Sequence, residues 1–152
     1  MFASHARRLI ATLWVGSLWT VGYLAAPVLF ATLTDTRLAG TIAGSLFRVE
    51  AWLSVFCAAM LAALIGFTGS TGKDTGLPQR KTLLVLIGAM LACTLVGYFG
   101  LQPFMAALRE TAGPDGVMAS DTRMQFGILH AISSGVYLVQ SLLGVALILK
   151  MR

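Results

Sequence analysis

The sequence predicts an all-α membrane protein in which four transmembrane helices form an up-down bundle. Of its 152 residues, 57% are hydrophobic and only 11% are charged, and the mean hydropathy is +0.83. A soluble domain of this length carries about a quarter charged residues. Four apolar runs lie at roughly 8–33, 47–67, 82–103 and 126–149, and each reaches the roughly 20 residues that a helix needs to cross the hydrocarbon layer. Residues 1–152 are therefore expected to form a single transmembrane domain.

The charged residues divide unevenly between the two ends of such a bundle. The end with both termini and the central loop would hold seven Lys or Arg residues and one carboxylate, Asp74, whereas the other end would hold four Arg and five acidic residues. Because cytoplasmic loops are enriched in Lys and Arg, we expect a multi-pass protein of the bacterial inner membrane with both termini in the cytoplasm. The net charge of +5 then reflects topology and contact with the lipid bilayer, and nucleic-acid binding is not expected.

The first span, at 8–33, is expected to remain as an uncleaved helix, because its apolar run is long for a signal sequence. It carries small residues at four-residue spacing, Thr12, Gly16 and Thr20. That spacing lets helix backbones approach closely. It predicts either packing inside the bundle or a homo-oligomer interface.

Aromatic residues and a proline mark the rest of this span. Trp14 and Trp19 are expected to face lipid. Pro27 is expected to kink the outer third of the helix and to free the Tyr23 carbonyl, because proline lacks an N–H group.

In the second span, Glu50, Ser54 and Cys57 share one helix face. The small-residue-rich segment at 38–46 just before this span is also expected to be helical. Cys57 and Cys93 fall near the middle of the second and third spans, and we interpret both as small apolar fillers. A soft Cu(I) pathway through them is the alternative.

The third span meets a Gln-Pro pair at 102–103 and is expected either to end there or to continue past a kink to Arg109. Two loops flank it. The loop at 68–81 is rich in Gly and polar residues, and the outer loop at 110–121 contains a Gly-Pro-Asp-Gly sequence at 113–116, which is a strong turn signal.

The fourth span contains an ionisable residue at membrane depth, His130. Such side chains are costly in lipid and usually face a bundle interior or a cavity. The residue begins a polar stripe whose spacing places all of its members on one helix face. The stripe consists of His130, Ser133, Ser134, Tyr137 and Ser141.

These features predict a ligand site near the outer end of the bundle. Helix direction places Glu50, Gln102 and His130 at one expected depth, and Ser133 and Ser134 follow on the same face as His130. We predict that these five residues bind a small ligand, and that Glu50 and His130 are the candidate ligands of a metal ion. Proton relay or binding of a cofactor such as haem are the alternatives. In a competing interpretation, His130 only bonds a neighbouring helix and stabilises the bundle.

Sequence signatures of soluble enzymes do not occur. The chain contains no GxGxxG, P-loop, HExxH or GxSxG motif. No catalytic residue is predicted, and a non-catalytic function is favoured.

The sequence also resembles a known family over roughly residues 6–149. It is similar to the transmembrane protein 205-like family of uncharacterised membrane proteins. The resemblance implies a four-helix membrane bundle related to the copper-resistance D proteins and to the small membrane protoporphyrinogen oxidases, and it brings no established activity. The oxidases carry a His in helix one, whereas the predicted first span at 8–33 has none. The copper-resistance proteins are a precedent for metal handling to which His130 and Glu50 would correspond. The similar segments are Trp14-Val15-Gly16-Ser17, Ala26-Pro27-Val28-Leu29-Phe30, Ala39-Gly40 with Phe47, and Phe126-Gly127-Ile128-Leu129-His130 with Ser133.

Three functional hypotheses follow from the sequence. The first is a non-catalytic protein with a ligand or metal site formed by Glu50, Gln102 and His130. The second is a redox or proton-transfer protein in which His130 serves haem or a quinone. The third is a structural or assembly partner of another membrane protein.

Overall fold

A computed structural model describes residues 2–68, 77–112, 117 and 121–151 of the chain. Four helical spans in these ranges are long and apolar enough to cross a membrane, so the predicted four-helix membrane fold is confirmed. The first span consists of α1 (Phe2–Trp19), a π-helical segment (Thr20–Ala25) and α2 (Ala26–Thr32). The second span is α3 (Thr36–Thr68). The third consists of α4 (Leu77–Thr94), a π-helical segment (Leu95–Leu101) and α5 (Gln102–Thr111), and the fourth is α6 (Arg123–Lys150).

The helices extend beyond the apolar runs that predicted them. The small-residue segment at 38–46 is continuous with the second span, and the third span runs past Pro103 to Thr111. For example, the apolar run at 82–103 begins after Arg80 and Lys81, whereas the helix itself begins at Leu77. The loop residues 69–76 and the turn at 113–116 lie outside the described residues.

Consecutive spans pack as antiparallel neighbours, and the fourth span closes the ring against the first. The side-chain amide of Gln79 donates to the Lys150 carbonyl at 3.0 Å, which joins the start of the third span to the end of the fourth. Both termini therefore lie at one end of the bundle. We name the half at this end the proximal half and the opposite half the distal half.

The proximal half contains a close-packed apolar core. All four spans contribute to it, and Gly144 allows the first and fourth spans to approach, since a Cβ at this glycine would lie 3.0 Å from Val15. Close packing of this kind is what holds helices together where lipid is as apolar as the core. The core residues are Ala11, Trp14, Val15, Cys57, Ala58, Leu61, Ile65, Leu83, Ile87, Met90 and Leu147.

Two expectations for the first span change in the structure. Trp14 does not face lipid, because it is fully buried and its Nε1–H donates to Ser54 Oγ at 2.7 Å. A buried indole N–H needs such an acceptor. Thr12, Gly16 and Thr20 are exposed on the bundle surface, so they do not pack inside the bundle, and the homo-oligomer interface stays a prediction.

The first and third spans each contain a π-helical segment just before a proline, Pro27 or Pro103. In the first span the Ala26 N–H bonds the Val21 carbonyl, five residues earlier. The wider turn relieves the crowding that a proline ring imposes on the preceding turn. The first span thus continues past Pro27 as a helix.

Tyr137 of α6 is inserted at the π-helical segment of the first span. Its hydroxyl donates to the Leu18 carbonyl, in the last turn of α1. A side chain that competes for the backbone ladder is a known cause of such a local widening. The tyrosine ring occupies the space that a side chain at Gly22 would need, so any larger residue there would have to displace the ring.

Candidate functional site

The distal half contains a cavity of about 620 Å³ that is lined by all four spans. This volume lies within the range of typical small-molecule sites, about 300–1,000 Å³. The predicted site residues all line it: Glu50, Gln102, His130, Ser133 and Ser134. Each of the second, third and fourth spans therefore contributes at least one residue of the cavity wall that was predicted from the sequence.

The predicted residues do not lie at one depth. Val136 of α6 packs against Gly97 of the third span. A Cβ added to Gly97 would lie 3.8 Å from Val136 Cγ1. From this contact toward the distal end, His130 is six residues along α6 and Gln102 is five residues along the third span. His130 therefore lies beside Gln102. Gln102 in turn lies against Gly44 of α3. Glu50 is six residues from Gly44 along the same helix, so it lies about 9 Å deeper.

Glu50 forms the base of the cavity, where polar groups are already paired. The carboxylate is 4% exposed, and Ser54 donates to its Oε1 at 3.3 Å. The indole of Trp14 donates to the same serine. The carboxylate is therefore held in place by a hydrogen-bonded chain that links the first and second spans.

The deep wall is tied together by further bonds between spans. Gln140 of α6 donates to Thr94 at 2.9 Å, and both side chains are buried. Tyr23 donates to Ser141 at 2.9 Å. Buried polar groups in lipid are stable only when they are paired in this way.

Arg109 lies at the distal end of the cavity, although it was not among the site residues predicted from the sequence. Its Nη1 donates to the Gly40 carbonyl at 3.1 Å and its Nη2 donates to Gln102 Oε1 at 3.2 Å. Nε donates to the Met105 carbonyl. Arg109 is seven residues after Gln102, so the two share a face of α5, and this spacing was the signal that could have found it.

The polar stripe of α6 divides into two parts. Tyr137 and Ser141 bond to the first span. His130, Ser133 and Ser134 line the cavity and make no hydrogen bond to any described residue, although the imidazole stacks on Phe126 with ring centroids 6.1 Å apart. Among the described residues, His130 thus has no interhelical hydrogen-bond partner of the kind that a purely stabilising role requires.

The cavity is open along one side, between the distal parts of the first and fourth spans. Among the described helices, α1 packs closely along α6, whereas α2 packs on α3 and hardly on α6. Pro27 and Phe30 on one side and His130 and Ser134 on the other line the cavity and are exposed. In a membrane this opening would face lipid.

The metal hypothesis finds no donor cluster in the described part of the chain. No group of three or more His, Cys, Asp and Glu side chains is placed to hold a metal ion there. Glu50 is also about 9 Å deeper than His130 along the helix axis. A metal ion held by Glu50 and His130 stays a prediction.

A family model, described as a domain of unknown function (DUF4149), matches residues 9–114. The chain belongs to the DUF4149 family. No curated protein and no solved structure matches it.

The matched range of this DUF4149 protein covers the first three spans almost completely. It includes Glu50, Gln102 and Arg109. The cavity wall on α6, with His130 and the two serines, lies beyond the matched range.

Proposed function

We propose that this protein binds a lipophilic small molecule in the distal cavity and does so without catalysis. The observation that carries the proposal is the cavity wall formed by His130, Ser133 and Ser134, which are polar and have no hydrogen-bond partner among the described residues. Unpaired polar groups at membrane depth are unfavourable. A bound molecule with polar atoms at this level would satisfy them, and its apolar part would fill the remaining volume.

The composition of the wall supports a lipophilic ligand. Apolar surface forms most of the cavity wall on the proximal side of His130. The ring of Tyr137 there makes edge-to-face contacts with Tyr23 and Phe47. Small-molecule sites in general combine an apolar wall with a few placed polar groups.

Photo-crosslinking tests this proposal directly. A long-chain alcohol that bears a diazirine is incorporated into phosphatidylcholine vesicles with the protein, and the crosslinked residues are mapped by mass spectrometry. We expect labels on cavity residues of the wild type and a strong loss of these labels in Ser134→Trp, because an indole would occupy the open side of the cavity.

The matched control is Ala131→Trp. Ala131 is exposed on the same helix and does not line the cavity. Equal labelling of the cavity in both variants, or labels confined to the lipid-facing surface in the wild type, would contradict the proposal.

We also infer that the protein lies in the bacterial inner membrane with the proximal end in the cytoplasm. The support is the excess of Lys and Arg around the proximal end of the bundle. Single cysteines at Thr71 and Asp115, in a chain without Cys57 and Cys93, test the orientation. A membrane-impermeant maleimide added to whole cells should label the Asp115 site, and labelling of the Thr71 site instead would reverse the topology.

The remaining sequence hypotheses stay predictions. The relation to the transmembrane protein 205-like and copper-resistance D proteins goes beyond the family match, and a metal, haem or quinone at His130 has no supporting donor cluster in the described ranges. A homo-oligomer or a partner membrane protein would use the exposed Thr12, Gly16 and Thr20 face.

A further inference from the structure

We infer that the ligand is an anionic amphiphile whose phosphate or carboxylate head binds beside Arg109, Gln102 and His130 and whose apolar chain lies in the deeper cavity. This inference rests on the proposed function, because it names the class of molecule that the distal cavity binds.

Arg109 has N–H donors that no described residue uses. A guanidinium has five N–H groups in a planar fork. Arg109 uses one from each of its three nitrogens on Met105, Gly40 and Gln102. One N–H on each terminal nitrogen remains without an acceptor among the described residues, and no carboxylate in those ranges pairs with the charge. Phosphate and carboxylate oxygens are the acceptors that match this fork.

Other donors line the distal cavity, from His130 beside Gln102 to Ser133 and Ser134 about one helical turn deeper. The hydroxyls of Ser133 and Ser134 and the imidazole of His130 line the cavity and have no hydrogen-bond partner among the described residues. Arg37 also lines the distal end. The distal cavity wall thus carries hydrogen-bond donors and positive charge, which are complementary to an anionic head group.

The two ends of the cavity differ in the sign of their charge. Glu50 lies at the base, and it is the only carboxylate among the residues that line the cavity in the described chain. The two arginines that line the cavity, Arg37 and Arg109, lie at its distal end, so an anionic head is attracted to that end. The charge distribution therefore orients an anionic amphiphile with its head toward the distal end.

The open side of the cavity offers a route of access for an amphiphile. The cavity opens between α2 and α6, where the exposed side chains of Tyr23, Phe30 and Pro27 line the gap. An amphiphile can enter this gap directly from the bilayer. An alkyl chain would then lie against aromatic side chains and the head would reach Arg109 at the distal end.

Three diazirine probes with the same alkyl chain test the inference: an alkyl phosphate, the neutral alcohol and the amine. Each is added to the full-length protein in phosphatidylcholine vesicles, and labelling of cavity residues is quantified. We expect the phosphate to label the cavity about tenfold more than the alcohol or the amine, since charge-assisted bonds of this kind correspond to roughly one factor of ten in affinity.

Variants of Arg109 and of the two serines test whether the preference for the alkyl phosphate arises at the head-group site. Arg109→Gln should remove most of the preference, whereas Arg123→Gln should keep it, because Arg123 is exposed at the start of α6 and does not line the cavity. Because Arg109 also donates a hydrogen bond to the Gly40 carbonyl of α3, its loss could lower stability. Thermal unfolding of each variant is therefore measured in parallel. If Arg109→Gln does not fold, the double variant Ser133→Ala/Ser134→Ala should still lower the preference severalfold.

The other outcomes separate the two proposals. Equal labelling by all three probes, unchanged in Arg109→Gln, would overturn the anionic head group and leave lipophile binding intact. A preference for the amine would also overturn it and point to Glu50. No cavity labelling by any probe would overturn the proposed function itself. Competition by inorganic phosphate as effective as by unlabelled alkyl phosphate would identify a free anion, and not an amphiphile, as the ligand.

Discussion

The proximal and distal halves of the bundle are built from the same four spans but differ in how those spans meet. In the proximal half, α1 packs along α6 and the core side chains are almost fully buried. In the distal half, the first and fourth spans separate beyond Tyr23 and Tyr137, and a cavity of about 620 Å³ takes the place of a core. One half thus supplies stability and the other leaves room for a ligand.

Small and large residues account for part of this difference. Gly144 lets Val15 approach α6 closely in the proximal half. In the distal half the π-helical segments widen the first and third spans on either side of α6. Tyr137 lies at the boundary, because its ring packs over Gly22 and its hydroxyl bonds the Leu18 carbonyl. The separation of the spans begins at this tyrosine.

The largest effect is expected from truncation in the proximal core. Leu61 is fully buried, so Leu61→Ala should lower the free energy of unfolding by about 2–5 kcal/mol through lost contacts and a new cavity. Phe30→Ala should cost much less, because this side chain is half exposed on the cavity wall. Reversible unfolding in mixed micelles measures both, and equal losses would show that the two halves do not differ in packing.

A smaller effect is expected at the boundary between the halves. Gly22→Ala should lower the free energy of unfolding by about 1–3 kcal/mol, because a Cβ there displaces the Tyr137 ring. Gly16→Ala is the control, since no other atom lies within 4 Å of its Cβ position and alanine is a better helix former. If both variants were equally stable, Tyr137 would not fix the position where the spans separate.

The sequence predicted the helices and the polar faces more successfully than the depths. Glu50, Ser54 and Cys57 share one helix face, and all three are buried in the structure. The five predicted site residues line one cavity. Their expected common level was incorrect for Glu50, because depth was counted from helix ends that extend further than the apolar runs.

The hydrogen-bond partners of Trp14 and Arg109 could not be predicted from spacing. Trp14 was expected in lipid, but Ser54 on another span accepts its indole N–H. Arg109 reaches back to the Gly40 carbonyl on α3. Each position depends on a partner that is distant in sequence.

The sequence by itself determined that this protein has four transmembrane helices and which helix faces are polar. Lipid offers no hydrogen bonds to a peptide backbone, so an apolar run of sufficient length must become a helix. Only the tertiary structure decided where the helices pack and where they separate, that Arg109 joins the site, and that Glu50 lies at its base. These features depend on contacts between side chains of different helices. The periodicity of residues within one helix carries no information about such contacts.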